Sequence, residues 1–411
     1  MIEWSEQHLM IRDAVRRFVE AEIKPNLEQL EHGDLPPYDV LRKLISTFGM
    51  DEMARVRFQK QIAREKAQAA AGQPALERER EAGGRGDAVA MQLIPIIELC
   101  RYCPGMVTAM GVSMGLTAAA ILSKGTTQQK ERWALDLLTL KKIGSWAITE
   151  PGSGSDAFGS MKSSARRDGQ GGYLLTGNKT FITNGPYADT IVFICKLDEE
   201  GVSARERKVL TFVLDRGMPG LTQSKPMRKM GLHSSPTGEL FLQDVHVGLD
   251  RLLGETEQAA SRTGAKATFS IERTGVASMA LGIVERCLEL SLKYARERVQ
   301  FGRPIGEFQL IQDKLARMEV ARLNLQNFVF RQIEMAEAGR GPGLAEASAM
   351  KLYAARAAVE VALEAVQIYG GNGYMAEYHV EQLCRDAKVL QIYAGTDEIQ
   401  ISAIARELLA G

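Results

Sequence analysis

The densest chemical signal in the chain is Thr149-Glu150-Pro151-Gly152-Ser153-Gly154-Ser155-Asp156, a turn of small and hydroxyl-bearing residues. Its backbone amides are free to approach phosphate. An ordinary Pro-Gly turn has the same composition. Further on, Asn178-Lys179-Thr180-Phe181-Ile182-Thr183-Asn184-Gly185 sets an aromatic and a hydroxyl at alternating strand positions, where they could pack against and hydrogen-bond a planar ring. Plain sheet wall reads the same way. Arg296-Glu297-Arg298-Val299-Gln300-Phe301-Gly302-Arg303-Pro304 ends a helical stretch with clustered guanidinium groups, as a helix dipole favours. Gly370-Gly371-Asn372-Gly373-Tyr374 is glycine-rich but follows a helix and not a strand, which argues against a dinucleotide fingerprint. Ile392 to Gln400 inserts Gly395 and Thr396 before a last helix, whose N-terminal amides could take an anionic or carbonyl oxygen.

Other chemistries are disfavoured. The histidines at 8, 32, 233, 246 and 379 are scattered without ligand spacing, so no metal site is expected and most are read as surface or turn residues. Cys100-x-x-Cys103 has redox spacing but sits in a helical stretch, away from any βαβ pattern. Neither a Gly-x-Ser-x-Gly elbow nor a Walker loop occurs.

The elements that must position these residues fall into three textures. Up to about Leu140 the apolar residues recur at three- and four-residue steps, as in Leu9, Ile11, Val15, Phe18 and Val19, which predicts helices. Between Trp146 and Asp250 short β-branched and aromatic runs, such as Tyr173–Leu175, Thr180–Thr183, Ile191–Cys195 and Val209–Leu214, alternate with Gly, Asn and Asp, predicting strands closed into a small barrel. The helical period then returns in Ile271–Arg298, Glu307–Ala338 and Leu344–Tyr369, which suit an antiparallel bundle. The expected domains are 1–145, 146–258 and 259–411. Within the first, 50–88 is a charged segment with little to bury, read as an exposed helical excursion or a partly disordered insert.

Composition narrows the partners. The 411 residues are 45% hydrophobic and 25% charged, with 51 basic and 51 acidic side chains and no net charge, which disfavours a dedicated nucleic-acid or membrane-surface binder. The most apolar stretch, 105–122, reads as a buried helix, with Gly111 and Gly115 implying close helix packing. The start lacks a secretory pattern and the five cysteines are odd in number, so a reducing cytoplasm is expected.

The TEPGSGSD turn, the FITNG strand, RVQFGRPI, YGGNGY and RDAKVLQIYAGTDEIQ occur in the order and approximate spacing of the acyl-CoA dehydrogenase family, which the chain resembles. The resemblance implies a mainly α protein with a central β domain: N-terminal helical domain, middle β-barrel and C-terminal four-helix bundle. It also implies a homotetramer with one FAD per subunit. By motif, Ile148, Thr149, Gly154 and Ser155 should lie along the flavin and its pyrophosphate, with Phe181 and Thr183 covering the ring. Arg298, Phe301, Gln309 and Gln312 resemble residues that reach the FAD of a neighbouring subunit, as do Gln367, Gly370 and Gly371. Thr396 and Glu398 close the cofactor site.

The implied reaction is α,β-dehydrogenation of a fatty acyl-CoA thioester, in which a carboxylate takes the α-proton and the flavin receives the β-hydrogen as hydride. In many members the base follows the Tyr of an IYEGT motif, but here that position is Ala394. The long-chain and isovaleryl branches supply the Glu from the first bundle helix, directly before an Arg, and Glu272-Arg273 stands there. Glu272 is therefore the expected base, and the amide of Ala394 can still donate to the thioester oxygen. Ser155, Arg273, Tyr393 and Gly395 are the expected substrate contacts. Tyr393 in place of the Gly of the isovaleryl branch favours medium or long straight chains, although the family's Pro-Glu-Glu-Tyr-Gly-Gly-like loop is replaced by the charged segment. The resemblance implies electron-transfer flavoprotein as acceptor. An acyl-CoA oxidase, or a non-catalytic flavin- or CoA-binding protein, is the alternative.

Overall fold

The computed structural model describes residues 3–32, 35–71, 84–258 and 262–410. The chain begins with helices: α1 (Glu6–Phe18), α2 (Leu27–Glu31), α3 (Tyr38–Thr47), α4 (Met50–Ala70), α5 (Arg85–Cys100), α6 (Pro104–Met110), α7 (Ala119–Lys124) and α8 (Thr127–Leu138). Their caps are those the sequence provides. Ser5 caps α1 by accepting from the His8 amide, and Thr126 with Gln129 forms a capping box at α8. The stretch between α6 and α7 is a wide π-helical run. Among the described residues, one helical run, Pro104–Lys124, is long and apolar enough to cross a membrane. Here Ser113, Thr117, Ala118 and Ile121 are buried in the protein, and Ser113 Oγ accepts the Gly144 amide at 2.9 Å. The close packing expected at Gly111 and Gly115 is absent, since a Cβ at either would meet nothing within 4 Å.

Seven strands follow: β1 (Gly144–Ala147), β2 (Ser164–Arg167), β3 (Tyr173–Thr183), β4 (Thr190–Leu197), β5 (Val209–Asp215), β6 (Leu221–Gln223) and β7 (Thr237–Val247). They form one mixed sheet in the order β1-β4-β2-β3-β7-β6, with β5 on the other edge of β4. This corrects the expected barrel. Closure needs a ladder between the end strands, but β5 pairs along its length with β4 and the short β6 pairs with β7, leaving the sheet open. Strand periodicity fixes which residues face inward and carries no information on whether the last strand meets the first. All eight residues of β4 are buried. Ile191, Phe193 and Cys195 fill the sheet's own core, while Val192 and Ile194 pack with Phe58, Ile62, Trp133 and Leu137 of the helical region. A strand covered on both faces reads as a continuous apolar run.

The remaining chain is α9 (Arg262–Glu297), a two-residue hairpin β8–β9 (Val299–Gln300, Arg303–Pro304), α10 (Gln309–Glu337), α11 (Leu344–Tyr369), α12 (Val380–Lys388) and α13 (Asp397–Leu409). Here α9, α10 and α11 pack together, α11 also packs on α12 and α13, and α5 lies against α9 and α10. One apolar core runs from Val15 and Ile23 through Leu99 and Met106 to Ile283, Leu325 and Ala358. Of the charged segment, α4 is mostly exposed, with Phe58 and Ile62 buried and Lys66 paired to Glu131 of α8. Residues 72–83 of that segment lie outside the described residues.

Candidate active site

The TEPGSGSD turn is held by a buried ion pair. Glu150 Oε1 meets Lys179 Nζ of β3 at 2.9 Å, and the same carboxylate accepts the amides of Lys162 and Ser163 at 2.6 and 2.9 Å. Lys179 also donates to the Ile148 carbonyl at 3.0 Å, and the Thr180 amide donates to Thr149 O at 2.9 Å. These hydrogen bonds keep the Glu150 carboxyl below its ordinary range despite its burial. Ile148 and Thr149 are half-buried, while Gly152, Gly154 and Ser155 are exposed, with no atom within 4 Å of a Cβ built at either glycine.

Phe181 is displayed by a defect in β3. Inward residues alternate as Tyr173, Leu175 and Lys179. A register shift between Lys179 and Ile182 then flips the strand, so that Ile182 faces the core and Phe181 faces out at φ 56°, 66% exposed. Thr183 shares that outward side and is half-buried.

Glu272 and Arg273, near the start of α9, meet the turn between α12 and α13. Arg273 is buried and donates to Ser348 Oγ of α11 at 2.8 Å, with its NH2 group 3.7 Å from where a Gly395 Cβ would stand. Glu272 is half-buried, and burial pushes its carboxyl up to about 7 against the opposing pull of Arg273 and Lys351. Tyr393 contacts the Thr108 hydroxyl and donates to Met279 Sδ at 3.3 Å, and burial pushes its phenol up. Ala394 and Gly395 both have positive φ, 53° and 88°. Among the described residues their N–H groups donate to no protein acceptor, whereas both carbonyls accept from Gln400 Nε2, at 3.0 and 2.7 Å. Thr396 caps α13 through the Ile399 amide, and Glu398 is exposed in its first turn. Helix α6 links the two groups of residues: Thr108 touches Tyr393, and the next carbonyl, Ala109, accepts from Asn184, the neighbour of Thr183, at 2.9 Å.

A third set lies elsewhere. Arg298, Phe301, Gln309, Gln312, Gln367, Gly370 and Gly371 are all exposed, Phe301 at 94%. They gather at one end of the bundle because Tyr294 of α9 stacks on Tyr369 of α11 at 4.0 Å and α10 starts beside the hairpin. Glu272, in the first third of α9, and Arg298, just past its C-terminal end, stand roughly 40 Å apart at about 1.5 Å per residue. Within one chain these residues and Glu272 are not brought together.

Sequence reasoning missed several residues that shape the site: Thr108, Lys179, Lys351, Asp397 and Gln400. Lys351 had a legible signal. It falls on a stripe whose neighbours Ala347, Ser348, Ala354, Ala355 and Ala358 are small and buried, so a lysine there must point inward. His8 is buried in α1, an exception to the surface or turn placement expected of most histidines, and all five cysteines are free, four of them buried.

Comparison with known proteins agrees with this architecture over its whole length. Residues 5–54 and 41–141 match the description "Acyl-CoA dehydrogenase, N-terminal domain", 145–245 the middle domain and 263–409 the C-terminal domain. An acyl-CoA dehydrogenase of Bacillus subtilis (strain 168) is 36% identical over 408 residues, 99% of each chain. The structure of butyryl-CoA dehydrogenase from Megasphaera elsdenii aligns with a TM-score of 0.81 at 32% identity, covering 100% of both chains. An acyl-CoA dehydrogenase complexed with FAD from Bacillus anthracis aligns at 0.80 with 27% identity, over 99% of this chain and 68% of that one. The fold, helical regions around a central sheet, thus has counterparts among acyl-CoA dehydrogenases. The chain belongs to the acyl-CoA dehydrogenase family and is an oxidoreductase.

Proposed function

We propose that the protein dehydrogenates an acyl-CoA thioester to the trans-2-enoyl-CoA, with Glu272 taking the α-proton. The observation that carries this reading is that Glu272 and Arg273 face the Tyr393–Gly395 turn together, Glu272 beside Tyr393 and Arg273 beside Gly395. A carboxyl that titrates near neutrality is matched both to accept a proton and to hold it. The Ala394 N–H, without an acceptor among the described residues, is available to the thioester carbonyl oxygen, and a donor there acidifies the α-carbon by stabilising the charge that develops on the oxygen. Ala394 brings no competing acid or base to that position.

The residues present fit FAD. An outward aromatic at Phe181, the hydroxyls of Thr149 and Thr183, and an open Gly152–Ser155 turn suit a planar ring and a pyrophosphate. Thr396 and Glu398 would close the site. Bound FAD would supply the acceptor for the β-hydrogen and its electron pair, which then pass to electron-transfer flavoprotein. The separation of the Arg298–Gly371 set from Glu272 supports a homo-oligomer, a tetramer by resemblance, in which that set holds the FAD of a neighbouring subunit. Tyr393, pinned between Thr108 and Met279, narrows the space beside Glu272 and supports straight-chain substrates. Five free cysteines suit a reducing cytoplasm.

The test is steady-state turnover with acyl-CoAs graded in length and branching, using electron-transfer flavoprotein or dioxygen as acceptor. Formation of enoyl-CoA with electron-transfer flavoprotein is expected. Peroxide formation at a matching rate would reassign the protein as an oxidase, and no turnover at any length would overturn the reading.

A further inference from the structure

Lys351 lies in the middle of α11 with none of its surface exposed, on a stripe otherwise made of Ala and Ser. An ammonium buried there is costly, and an apolar side chain would pack without that cost. Helix packing alone therefore does not account for it. Its Nζ donates to the Gly395 carbonyl at 2.8 Å and stands 3.7 Å from Asp397 Oδ1, while Arg356 holds the other Asp397 oxygen at 3.0 Å. Together with Gln400, this draws the carbonyls of the turn inward and stabilises a backbone in which Ala394 sits at positive φ. From this geometry we infer that Lys351 is a positioning residue of the dehydrogenation site, fixing the Ala394–Gly395 turn from inside the bundle and setting a positive charge behind Glu272.

The inference rests on the reading of Glu272 as base. The charged groups around that carboxyl are Arg273 on its own helix and Lys351 on α11, with Tyr393 facing it from the turn. Lys351 in turn faces Asp397, Glu398 and Arg273. Both cations favour the carboxylate, the form that accepts the α-proton, and oppose the rise that burial imposes. Lys351 reaches the turn through the Gly395 carbonyl and leaves the Ala394 N–H turned to substrate.

The experiment compares Lys351→Met, which removes charge and donor, with Lys351→Gln, which removes the charge and keeps a donor. Glu272→Gln is run alongside. The acid limb of the kcat/KM profile should move to higher pH by about one unit in both Lys351 variants. In Lys351→Met, kcat should fall roughly tenfold with KM nearly unchanged, as expected when transition-state alignment is lost and ground-state binding is kept. Amide hydrogen exchange of a peptide spanning Tyr393–Gln400, in which the Tyr393, Ile399 and Gln400 amides are hydrogen-bonded, should quicken severalfold in Lys351→Met, a readout independent of turnover and measurable without bound flavin. An unmoved acid limb, kcat within twofold and unchanged exchange would overturn the role of Lys351. If Glu272→Gln keeps full activity, the assignment of the base fails instead, whatever the Lys351 variants do. If Lys351→Met does not fold, the acid limb of Lys351→Gln decides: a shift of about one unit supports the role and an unmoved limb overturns it.

Discussion

Replacing Glu272 by Gln should make the protein more stable, and only above a definite pH. The carboxyl titrates near 7 in the folded chain against an ordinary value of 4.5. At about 1.4 kcal/mol per unit, the burial of its charge costs up to about 3 kcal/mol. The sign follows from proton counting. Well below pH 4.5 the group is neutral in both the folded and unfolded chains and contributes nothing. Between 4.5 and 7 the folded protein binds more protons than the unfolded one, so stability falls as pH rises, and above 7 the loss is complete. Gln carries no charge at any pH. Guanidinium unfolding of the two proteins should therefore differ by less than about 0.5 kcal/mol at pH 4.5 and by up to about 3 kcal/mol in favour of Glu272→Gln at pH 8. The same ionisation should give kcat/KM an acid limb near pH 7. A gain of equal size at both pH values would place the cause in packing, and a wild type more stable at pH 8 would refute the burial argument outright.

Three further outcomes are expected. Lys179→Met leaves the Glu150 carboxylate buried without its cation and should cost about 3 kcal/mol, read by chemical denaturation, with part recovered in Glu150→Gln/Lys179→Met; an unchanged midpoint would show that the pair does not hold the turn. Phe181→Ala should change stability by less than about 0.5 kcal/mol, because the ring is 66% exposed, yet weaken FAD retention about tenfold in equilibrium dialysis; equal FAD affinity would remove Phe181 from the cofactor site. Tyr393→Gly should shift kcat/KM toward branched acyl-CoAs, and an unaltered preference between branched and straight chains would show that Tyr393 does not bound the pocket.

Legibility in the sequence followed the range of the interactions. Helix α11 was predicted with its observed limits, Leu344–Tyr369, because its apolar period is unbroken and Gly343 and Gly370 bracket it. Strands β4 and β5 were found to within two residues at either end, as dense β-branched runs between turns. The open sheet was not legible, since closure depends on β5 and β6, which no local pattern relates. β3 was read as two pieces around Gly177, and the register shift that turns Phe181 outward has no signature except that alternation from Tyr173 would have turned it inward. At the candidate site, Glu272 was reached by resemblance, while Lys351 and Asp397 were overlooked because they pair across a long stretch of sequence, and Gln400 because it bonds the carbonyls of the adjoining turn, which leave no side-chain pattern.

The claim on which the rest depends is that Glu272 removes the α-proton. Anaerobic titration of the flavin-loaded protein with short, long and branched acyl-CoAs, followed by flavin absorbance, tests it directly. Bleaching in the wild type that disappears in Glu272→Gln, with FAD still bound, is the predicted result. Bleaching that persists in the variant, or a wild type unbleached by every thioester, would contradict it.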